Sequence, residues 1–393
     1  MAYATGRAYH DADAHIMEPA AWLTEHADPA FRDRMPRFRI GGIGPEGAKV
    51  DWVAHTCPLH LDPEYRAEAS QVTLRKNYFA IGAFERDHRS QALDQLGFAS
   101  QLIFTTFSAA ELVLAEAGDD VELAYAMADA HNRGVAHFCE VDPRLLGVGY
   151  VCLMDLEHAA EQAARAIEWG CKALMIASQC PRSHSPSHIG LDGVWARAQE
   201  AGVPIVMHVG GGGKLLSPKY FENGLPSVPD FHGGAENFRS VDYMAIPYNP
   251  MQTMATLILD GVADRFPDLR FGIIEQGASW LPGWMRYLDS AFNAFRKNEE
   301  RLQRLSAPPS EIVRRQVRVT PYPHEDTGWI IRNSGPEVCL FSSDYPHVEG
   351  GRNPLKRFGE SLTGCSDVEL DRFYQLNMAD LMGPHIPEPV AAG

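Results

Sequence analysis

The sequence lacks the basic charge and the long apolar segments that are typical of several classes of protein. Its 393 residues include 35 Lys and Arg against 51 Asp and Glu, a formal net charge of -16. We expect no nucleic-acid partner, because the summed field repels polyanions. No stretch approaches the roughly 18 to 20 apolar residues of a membrane span, and residues 1–7 hold no apolar core of signal-peptide length. We therefore expect a cytoplasmic protein with no membrane partner.

Cysteine and glycine motifs of common scaffolds are also missing. The seven cysteines are scattered, odd in number and without a CxxC pair, which argues against a disulfide framework and a structural zinc knuckle. No G-x-G-x-x-G follows the first β-rich run, which weakens a dinucleotide-binding interpretation.

What the sequence does contain is an alternation of β-rich runs and helix-like segments, typical of parallel βα units. The predicted strands are Tyr9–His15, Gln101–Thr106, Leu146–Leu153, Ala173–Ala177, Pro204–His208, Leu269–Glu275, Gln316–Thr320 and Val338–Ser342. The predicted helices between them are Asp119–Val141, Leu156–Trp169, Leu191–Ala201, Asn249–Arg265, Trp280–Leu305 and Pro323–Asn333. Eight alternations favour an α/β protein built as a (β/α)8 TIM barrel in one domain over residues 1–393.

Two long insertions interrupt this pattern. Residues 27–80, rich in Pro, Gly and Arg at their start, follow the first strand and are expected to pass over the barrel mouth. The second insertion, Gly210–Tyr248, follows the fifth strand. Residues 384–393 are expected to form a loosely docked tail. The aromatic residue Tyr243 is expected to pack in the core rather than contact a substrate.

Polar side chains stand at the ends of several predicted strands, where the residues of a barrel converge on one mouth. Asp13 and His15 share a face of the first strand because strand residues i and i+2 point the same way. His208 ends the fifth strand, Glu275 ends the sixth and Asp344 follows the eighth. Carboxylates and imidazoles in such a set match the ligands of a catalytic Zn²⁺ site. Singly, each residue also fits a core position, a helix cap or an ion pair.

A glycine-rich run, Gly210 to Gly213 followed by Lys214, lies directly after His208. Leu215 follows Lys214, so the G-x-x-x-x-G-K-[ST] phosphate-loop spacing is not met. The run is either a mobile loop or a place where Lys214 meets an anionic group of a substrate. Arg182 and His184, after the fourth strand, could line the same mouth or belong to a solvated loop.

Taken together, four stretches resemble the amidohydrolase-related family, the branch of the amidohydrolase superfamily that includes aminocarboxymuconate semialdehyde decarboxylase and the resorcylate decarboxylases. These are Asp13-x-His15-x-x-Glu18-Pro19, the strand-five His208, the run "DRFPDLRFGIIEQGASWLPGWMRYLD" and "SSDYPH" near the C-terminus. The resemblance implies a metal-dependent barrel. It also implies that one divalent ion is held by Asp13, His15, His208 and Asp344.

The sixth strand departs from the decarboxylase pattern, which usually has His where this chain has Glu275. A Glu donates no proton at neutral pH unless its pKa is raised, whereas it suits a general base or an extra metal ligand. We therefore expect a hydrolase that uses a metal-activated water on an ester, thioester (including acyl-CoA) or amide of a small organic acid. The alternative is a non-oxidative decarboxylase of an aromatic or unsaturated acid. A third possibility is a binding barrel without catalysis.

In the hydrolase, Asp344 or Glu275 would take the proton from the attacking water. His347 would orient the substrate, protonate the leaving group or support a ligand from behind. We expect Zn²⁺, with Fe²⁺ and Mn²⁺ as alternatives, and one ion, or two if Glu275 is a ligand. A homodimer is expected.

Overall fold

The computed structural model describes residues 2–43, 49–212, 216–226 and 239–387. Its strands are β1 (His10–Ile16), β2 (Gly41–Ile43), β3 (Lys49–Asp51), β4 (Ser100–Thr105), β5 (Leu145–Tyr150), β6 (Ala173–Met175), β7 (Ile205–His208), β8 (Phe271–Ile274) and β9 (Val317–Val319). Seven of them form one parallel sheet in the order β1-β4-β5-β6-β7-β8-β9, and β2 pairs with β3 antiparallel. The predicted α/β barrel is confirmed.

The helices surround this curled sheet. They are α1 (Trp22–His26), α2 (Trp52–Leu61), α3 (Pro63–Ala67), α4 (Arg86–Leu96), α5 (Ser108–Glu116), α6 (Val121–Cys139), α7 (His158–Trp169), α8 (Asp192–Ala201), α9 (Ser240–Ala245), α10 (Tyr248–Leu259), α11 (Val262–Arg265), α12 (Leu281–Phe295), α13 (Glu300–Gln303), α14 (Pro309–Gln316), α15 (Thr327–Ser334), α16 (Pro354–Ser361), α17 (Asp367–Asp371) and α18 (Asn377–Met382). Within the described residues, every helix is too short or too polar to cross a membrane.

An irregular segment closes the ring where the eighth strand was predicted. Val338–Ser342 lies in the expected place, but it makes isolated bridges instead of a continuous ladder. Val319 N donates to Val338 O (2.8 Å) on one side, and Ala12 N donates to Phe341 O (2.9 Å) on the other. Asp344 N donates to Asp13 O (2.8 Å), so the chain between β9 and β1 is fixed where Asp344 enters the mouth.

Two predicted helices are each divided. Asn249–Arg265 was expected as one helix, but Gly261 adopts φ +79°, a left-handed conformation that ends α10 and starts α11. Trp280–Leu305 is interrupted after Phe295 because the buried stripe of α12 ends at Phe292 and the next six residues are exposed.

The insertion after β1 lies against the barrel mouth at two points. Asn77 N donates to Pro346 O (2.9 Å), just beyond Asp344. The neighbouring Tyr78 hydroxyl donates to the backbone oxygen of Glu18 (3.1 Å), just beyond β1. These contacts place residues 77 and 78 beside the polar strand ends. Of the second insertion, 213–215 and 227–238 lie outside the described residues.

Candidate active site

Strand β1 supplies the first two side chains of the site. All seven of its residues are buried, and Asp13 and His15 meet at the mouth, with His15 Nε2 3.2 Å from Asp13 Oδ1. His208, the last residue of β7, places its Nε2 3.3 Å from the same Asp13 oxygen. One carboxylate oxygen therefore faces two imidazoles that come from different strands.

Backbone carbonyls fix the orientation of both rings. His15 Nδ1 donates to Thr105 O (3.3 Å), and His208 Nδ1 donates to Val209 O (2.9 Å). Since Nδ1 carries the proton in each donor arrangement, Nε2 presents its lone pair to the centre of the site, as metal-binding histidines do.

Two further carboxylates enter from the loops that follow β8 and the closing segment. Glu275 Oε2 lies 3.3 Å from His208 Nε2, and Asp344 Oδ1 lies 3.5 Å from His15 Nε2. Both residues adopt φ +53°, a sparsely populated conformation for side chains other than glycine that costs of order 1–3 kcal/mol. Hydrogen bonds hold both residues in place, since Glu275 N donates to Thr320 Oγ1 (2.7 Å) and Asp344 N donates to Asp13 O (2.8 Å).

Electrostatics keep the site in the form that binds cations. Burial raises the pKa of Asp13, but the imidazoles of His208 and His15 outweigh burial and hold that pKa below its usual range. Burial, with the nearby ring of His347, lowers the pKa of His15 to about 4. At neutral pH the site therefore presents an ionised Asp13 and a neutral His15 ring.

These groups fit a divalent metal ion. Donor atoms of Asp13, His15, His208 and Glu275 lie within 4.8 Å of one another, as do those of His15, Asp344 and His347. Ligand atoms about 2.1 Å from one ion are separated by roughly 3 Å, which is close to the spacing found here. The second carboxylate oxygen of Asp344, Oδ2, is buried without a hydrogen bond from any described residue, a costly state that an ion would relieve.

His347 packs behind this cluster. Its ring stacks on His15 at 4.0 Å between centroids, and its Nδ1 lies 2.9 Å from Asp344 Oδ1. Thr106 Oγ1 lies 2.9 Å from His347 Nε2. The ring therefore packs against both His15 and Asp344.

A cavity of about 600 Å³ opens onto Glu275. Its wall includes Tyr243, Tyr322 and His324, whose rings lie 5.3 to 5.6 Å apart in pairs. Arg239 also lines it, with its guanidinium 3.3 Å from the Phe221 ring centroid. An aromatic wall, one arginine and two carboxylates, those of Glu275 and Glu349, line a space that suits a planar molecule.

The three predicted substrate-binding residues have different placements. Arg182 donates to the backbone oxygen of Gly118 (2.9 Å), and His184 Nε2 lies 2.8 Å from Leu153 O. Neither residue lines the cavity. Lys214 lies outside the described residues.

Sequence reasoning missed several residues around the site. Asp11 accepts hydrogen bonds from Ser343 N (2.7 Å) and Ser343 Oγ (2.6 Å), which fixes the backbone next to Asp344. Asp11 lies two residues before Asp13 in the same strand, so the sequence could have placed both carboxylates on one face of that strand. Tyr243 was expected in the core, but it is on the cavity wall. Arg239, inside an irregular insertion, had no periodic signal.

A family model described as amidohydrolase matches residues 11–383. The chain belongs to the amidohydrolase family. A search of curated proteins found no match to this amidohydrolase.

Solved structures share its fold. An amidohydrolase from Mycobacterium avium subsp. paratuberculosis K-10 is 24% identical with a TM-score of 0.72, over 97% of this chain and 100% of that one. The 5-carboxyvanillate decarboxylase of Novosphingobium aromaticivorans DSM 12444, solved with manganese and 4-hydroxy-3-methoxy-5-nitrobenzoic acid, is 17% identical with a TM-score of 0.62, over 96% of each chain. A dihydroxybenzoic acid decarboxylase of Polaromonas sp. JS666, with manganese and 2-nitroresorcinol, is 15% identical with a TM-score of 0.59, over 98% of this chain and 100% of that one.

Proposed function

We propose that this amidohydrolase is a metal-dependent, non-oxidative decarboxylase of a small aromatic or unsaturated carboxylic acid. The observation that carries the proposal is the aromatic-walled cavity, which holds Arg239 on its wall and opens onto Glu275 beside the carboxylate-imidazole cluster. The decarboxylases among the structural neighbours support it, and they favour this alternative over the hydrolase that the sequence first suggested.

The proposed ion ligands are Asp13, His15, His208 and Asp344. When bound, a divalent ion would act as a Lewis acid and draw electron density from an oxygen of the substrate. The manganese in the neighbours makes Mn²⁺ a candidate beside Zn²⁺. The chain's own contribution is to hold donor atoms of Asp13, His15 and His208 close together before the ion arrives, with Asp344 Oδ1 3.5 Å from His15 Nε2.

Arg239 and the aromatic wall would position the substrate. The guanidinium lies over Phe221 and 3.4 Å from Asp242, so its approach direction is restrained. We assign to it a charge-assisted hydrogen bond to an anionic group of the substrate. Tyr322 and His324 are nearly parallel at 5°, which suits a flat, unsaturated substrate between the wall and Glu275.

Glu275 would handle the proton. Decarboxylation breaks the C–CO₂ bond, leaves its electron pair on carbon and replaces it with a C–H bond, so a proton must reach that carbon. Glu275 lines the cavity, and Tyr322 OH donates to its backbone oxygen (2.8 Å), which aims the loop. The carboxyl must carry the proton at the moment of transfer.

Hydrolysis is the second candidate, and Glu275 is the observation that favours it. A carboxylate 3.3 Å from His208 Nε2, facing a cavity, is placed to take a proton from an attacking water. The substrate would then be an ester, thioester or amide of a small acid.

Product analysis separates the two candidates. Metal-loaded enzyme is incubated with a panel of hydroxybenzoic and unsaturated acids, and with a panel of esters, thioesters and amides, in ¹⁸O-labelled water. Release of CO₂ with a new C–H bond supports the decarboxylase. An acid product that carries ¹⁸O, without CO₂, overturns it in favour of the hydrolase, and no turnover in either panel favours a binding barrel.

The Arg239→Ala variant tests the substrate's position. Loss of a hydrogen bond to a charged group costs about 1.5–3 kcal/mol, so we expect KM to rise roughly ten- to hundredfold. Arg182→Ala is the matched control, since it removes an arginine outside the cavity lining. If Arg182→Ala raised KM while Arg239→Ala did not, the assignment of Arg239 would be wrong.

A further inference from the structure

A second group of potential metal ligands lies away from the candidate active site. It comprises His60 in the last turn of α2, Glu85 just before α4, and His88 in the first turn of α4. One donor atom from each lies within 4.8 Å of the others. We call these three residues the His60 cluster. It joins the insertion after β1 to a helix of the barrel wall.

The cluster holds buried donor atoms that the protein does not satisfy. His60 Nδ1 lies 2.5 Å from Glu85 Oε2. His60 Nε2, Glu85 Oε1 and His88 Nδ1 are buried and have no hydrogen-bond partner among the described residues. The His60 side chain is fully buried. Three unpaired polar atoms on three neighbouring side chains are costly, and a cation shared by these side chains would lower the cost.

The surroundings hold the His60 ring in one orientation. The ring stacks between Phe84, at 5.0 Å, and Tyr65, at 6.0 Å, with interplanar angles of 24° and 23°. Arg66 donates a hydrogen bond to the backbone oxygen of His60 (2.6 Å).

We propose that the His60 cluster is a second metal site, which binds one Zn²⁺ through His60, Glu85 and His88. Two imidazoles and one carboxylate are ligands of the type that Zn²⁺ prefers, and a water would complete four-coordination. This inference does not depend on the proposed function, because the cluster shares no residue with the candidate active site.

The ion would have a structural role. It would tie α2 to the start of α4, and residues 77 and 78 of the same insertion lie against the barrel mouth. Because a bound ion stabilises only the folded arrangement, its removal should loosen this insertion before the barrel unfolds.

The test measures metal in tag-free, full-length protein equilibrated with Zn²⁺ and then freed of excess ion. We expect wild type to contain one more ion per chain than His88→Ala and His60→Ala. His55→Ala is the matched control, since it removes an exposed histidine from the same helix and should leave the content unchanged. The difference in metal content between wild type and these variants reports on this site, whereas the total metal content does not. The test therefore remains decisive even if the active-site residues bind no ion.

Two further measurements complete the design. Titration of the Asp13→Ala/His208→Ala variant with Co²⁺ should give visible d–d bands, from which the Co²⁺ affinity is measured. Adding His88→Ala to this variant should weaken that affinity at least tenfold. Limited proteolysis of the wild type should cut the insertion faster after chelation. Equal metal content in wild type and His88→Ala would overturn the proposal and leave an ordinary His60–Glu85 hydrogen bond. If His60→Ala does not fold, His88→Ala, at a less buried position, decides.

Discussion

At the scale of single residues, the candidate active site depends on how each polar group is paired. His15 and His208 direct Nδ1 to backbone oxygens and therefore Nε2 to Asp13. Asp11 and Asp13 are both buried carboxylates of β1, but they differ in their partners. Hydroxyl, amide and backbone donors surround Asp11, and burial still raises its pKa to about 7. Imidazoles surround Asp13, and its pKa falls.

A buried carboxyl away from the site gives a pH-dependent prediction. Burial raises the pKa of Glu116 to about 7, although Tyr150 OH and Leu153 N donate hydrogen bonds to it. The folded state thus holds this proton between pH about 4.5 and 7 while the unfolded state releases it, so stability falls as pH rises through that window. Relative to Glu116→Gln, wild type should lose roughly 2–4 kcal/mol between those limits.

Urea denaturation of both proteins from pH 4.5 to 8 checks this prediction. The difference between the two free energies of unfolding should change across the window and level off above it. Parallel pH profiles would show that Glu116 does not titrate abnormally in the folded state.

The sequence predicted most of the charged cluster because its members stand at strand ends, where position in a barrel follows from the order of elements. Donor atoms of Asp13, His15, His208 and Glu275 form one group, and Asp344 Oδ1 lies 3.5 Å from His15 Nε2. The residues of the cavity wall could not be predicted in this way. Arg239 and Tyr243 come from an insertion with no regular period, so no pattern relates their place in the chain to their place in space.

At the scale of elements, single carboxylates join the loops that carry the site. Glu18, beyond β1, accepts hydrogen bonds from Thr106 N (2.7 Å) and Ser108 N (2.9 Å) at the start of α5. Glu325 accepts from Ser279 N (2.8 Å) after β8 and from Tyr322 N (2.7 Å) after β9. Each carboxylate ties together the ends of two neighbouring strands.

Removal of Glu325 should loosen the loops that hold Glu275 and Tyr322. Glu325→Ala leaves buried backbone N–H groups without acceptors, so we expect a loss of about 2–4 kcal/mol in the free energy of unfolding. We also expect a lower kcat, because the proposed proton carrier becomes less well positioned. Glu222→Ala, at an exposed position, is the control. Unchanged stability and kcat in Glu325→Ala would show that these loops are held by other contacts.

Element prediction succeeded where a pattern had a clear end. α8 ends at Ala201, as the sequence predicted, and Gly202 with its φ of +66° caps the helix. Element prediction failed where tertiary packing, and not local sequence, determines the conformation. The closing segment around Phe341 has the composition of a strand, but it pairs through isolated bridges because it bends to bring Asp344 to Asp13.

At the scale of the whole molecule, the barrel brings residues more than 300 positions apart into one site, as Asp13 and Asp344 show. The homodimer expected from the sequence stays a prediction. The described surface exposes large apolar side chains, including Met244, Tyr287 and Phe295, which a second copy could cover.

Light scattering coupled to size exclusion measures the oligomeric state directly. A homodimer should give about 87 kDa, twice the chain mass of 43.5 kDa. A mass near that of a single chain across a range of concentrations would contradict the prediction.

The central claim is that the mouth of this amidohydrolase binds a divalent ion through Asp13, His15, His208 and Asp344. Elemental analysis of protein purified without chelators tests it most directly. Wild type should contain one more ion per chain than Asp13→Ala, His208→Ala or Asp344→Ala, while Glu275→Gln keeps the wild-type content. A loss of one ion in Glu275→Gln would instead make Glu275 a ligand, and equal metal content in wild type and all variants would contradict the claim.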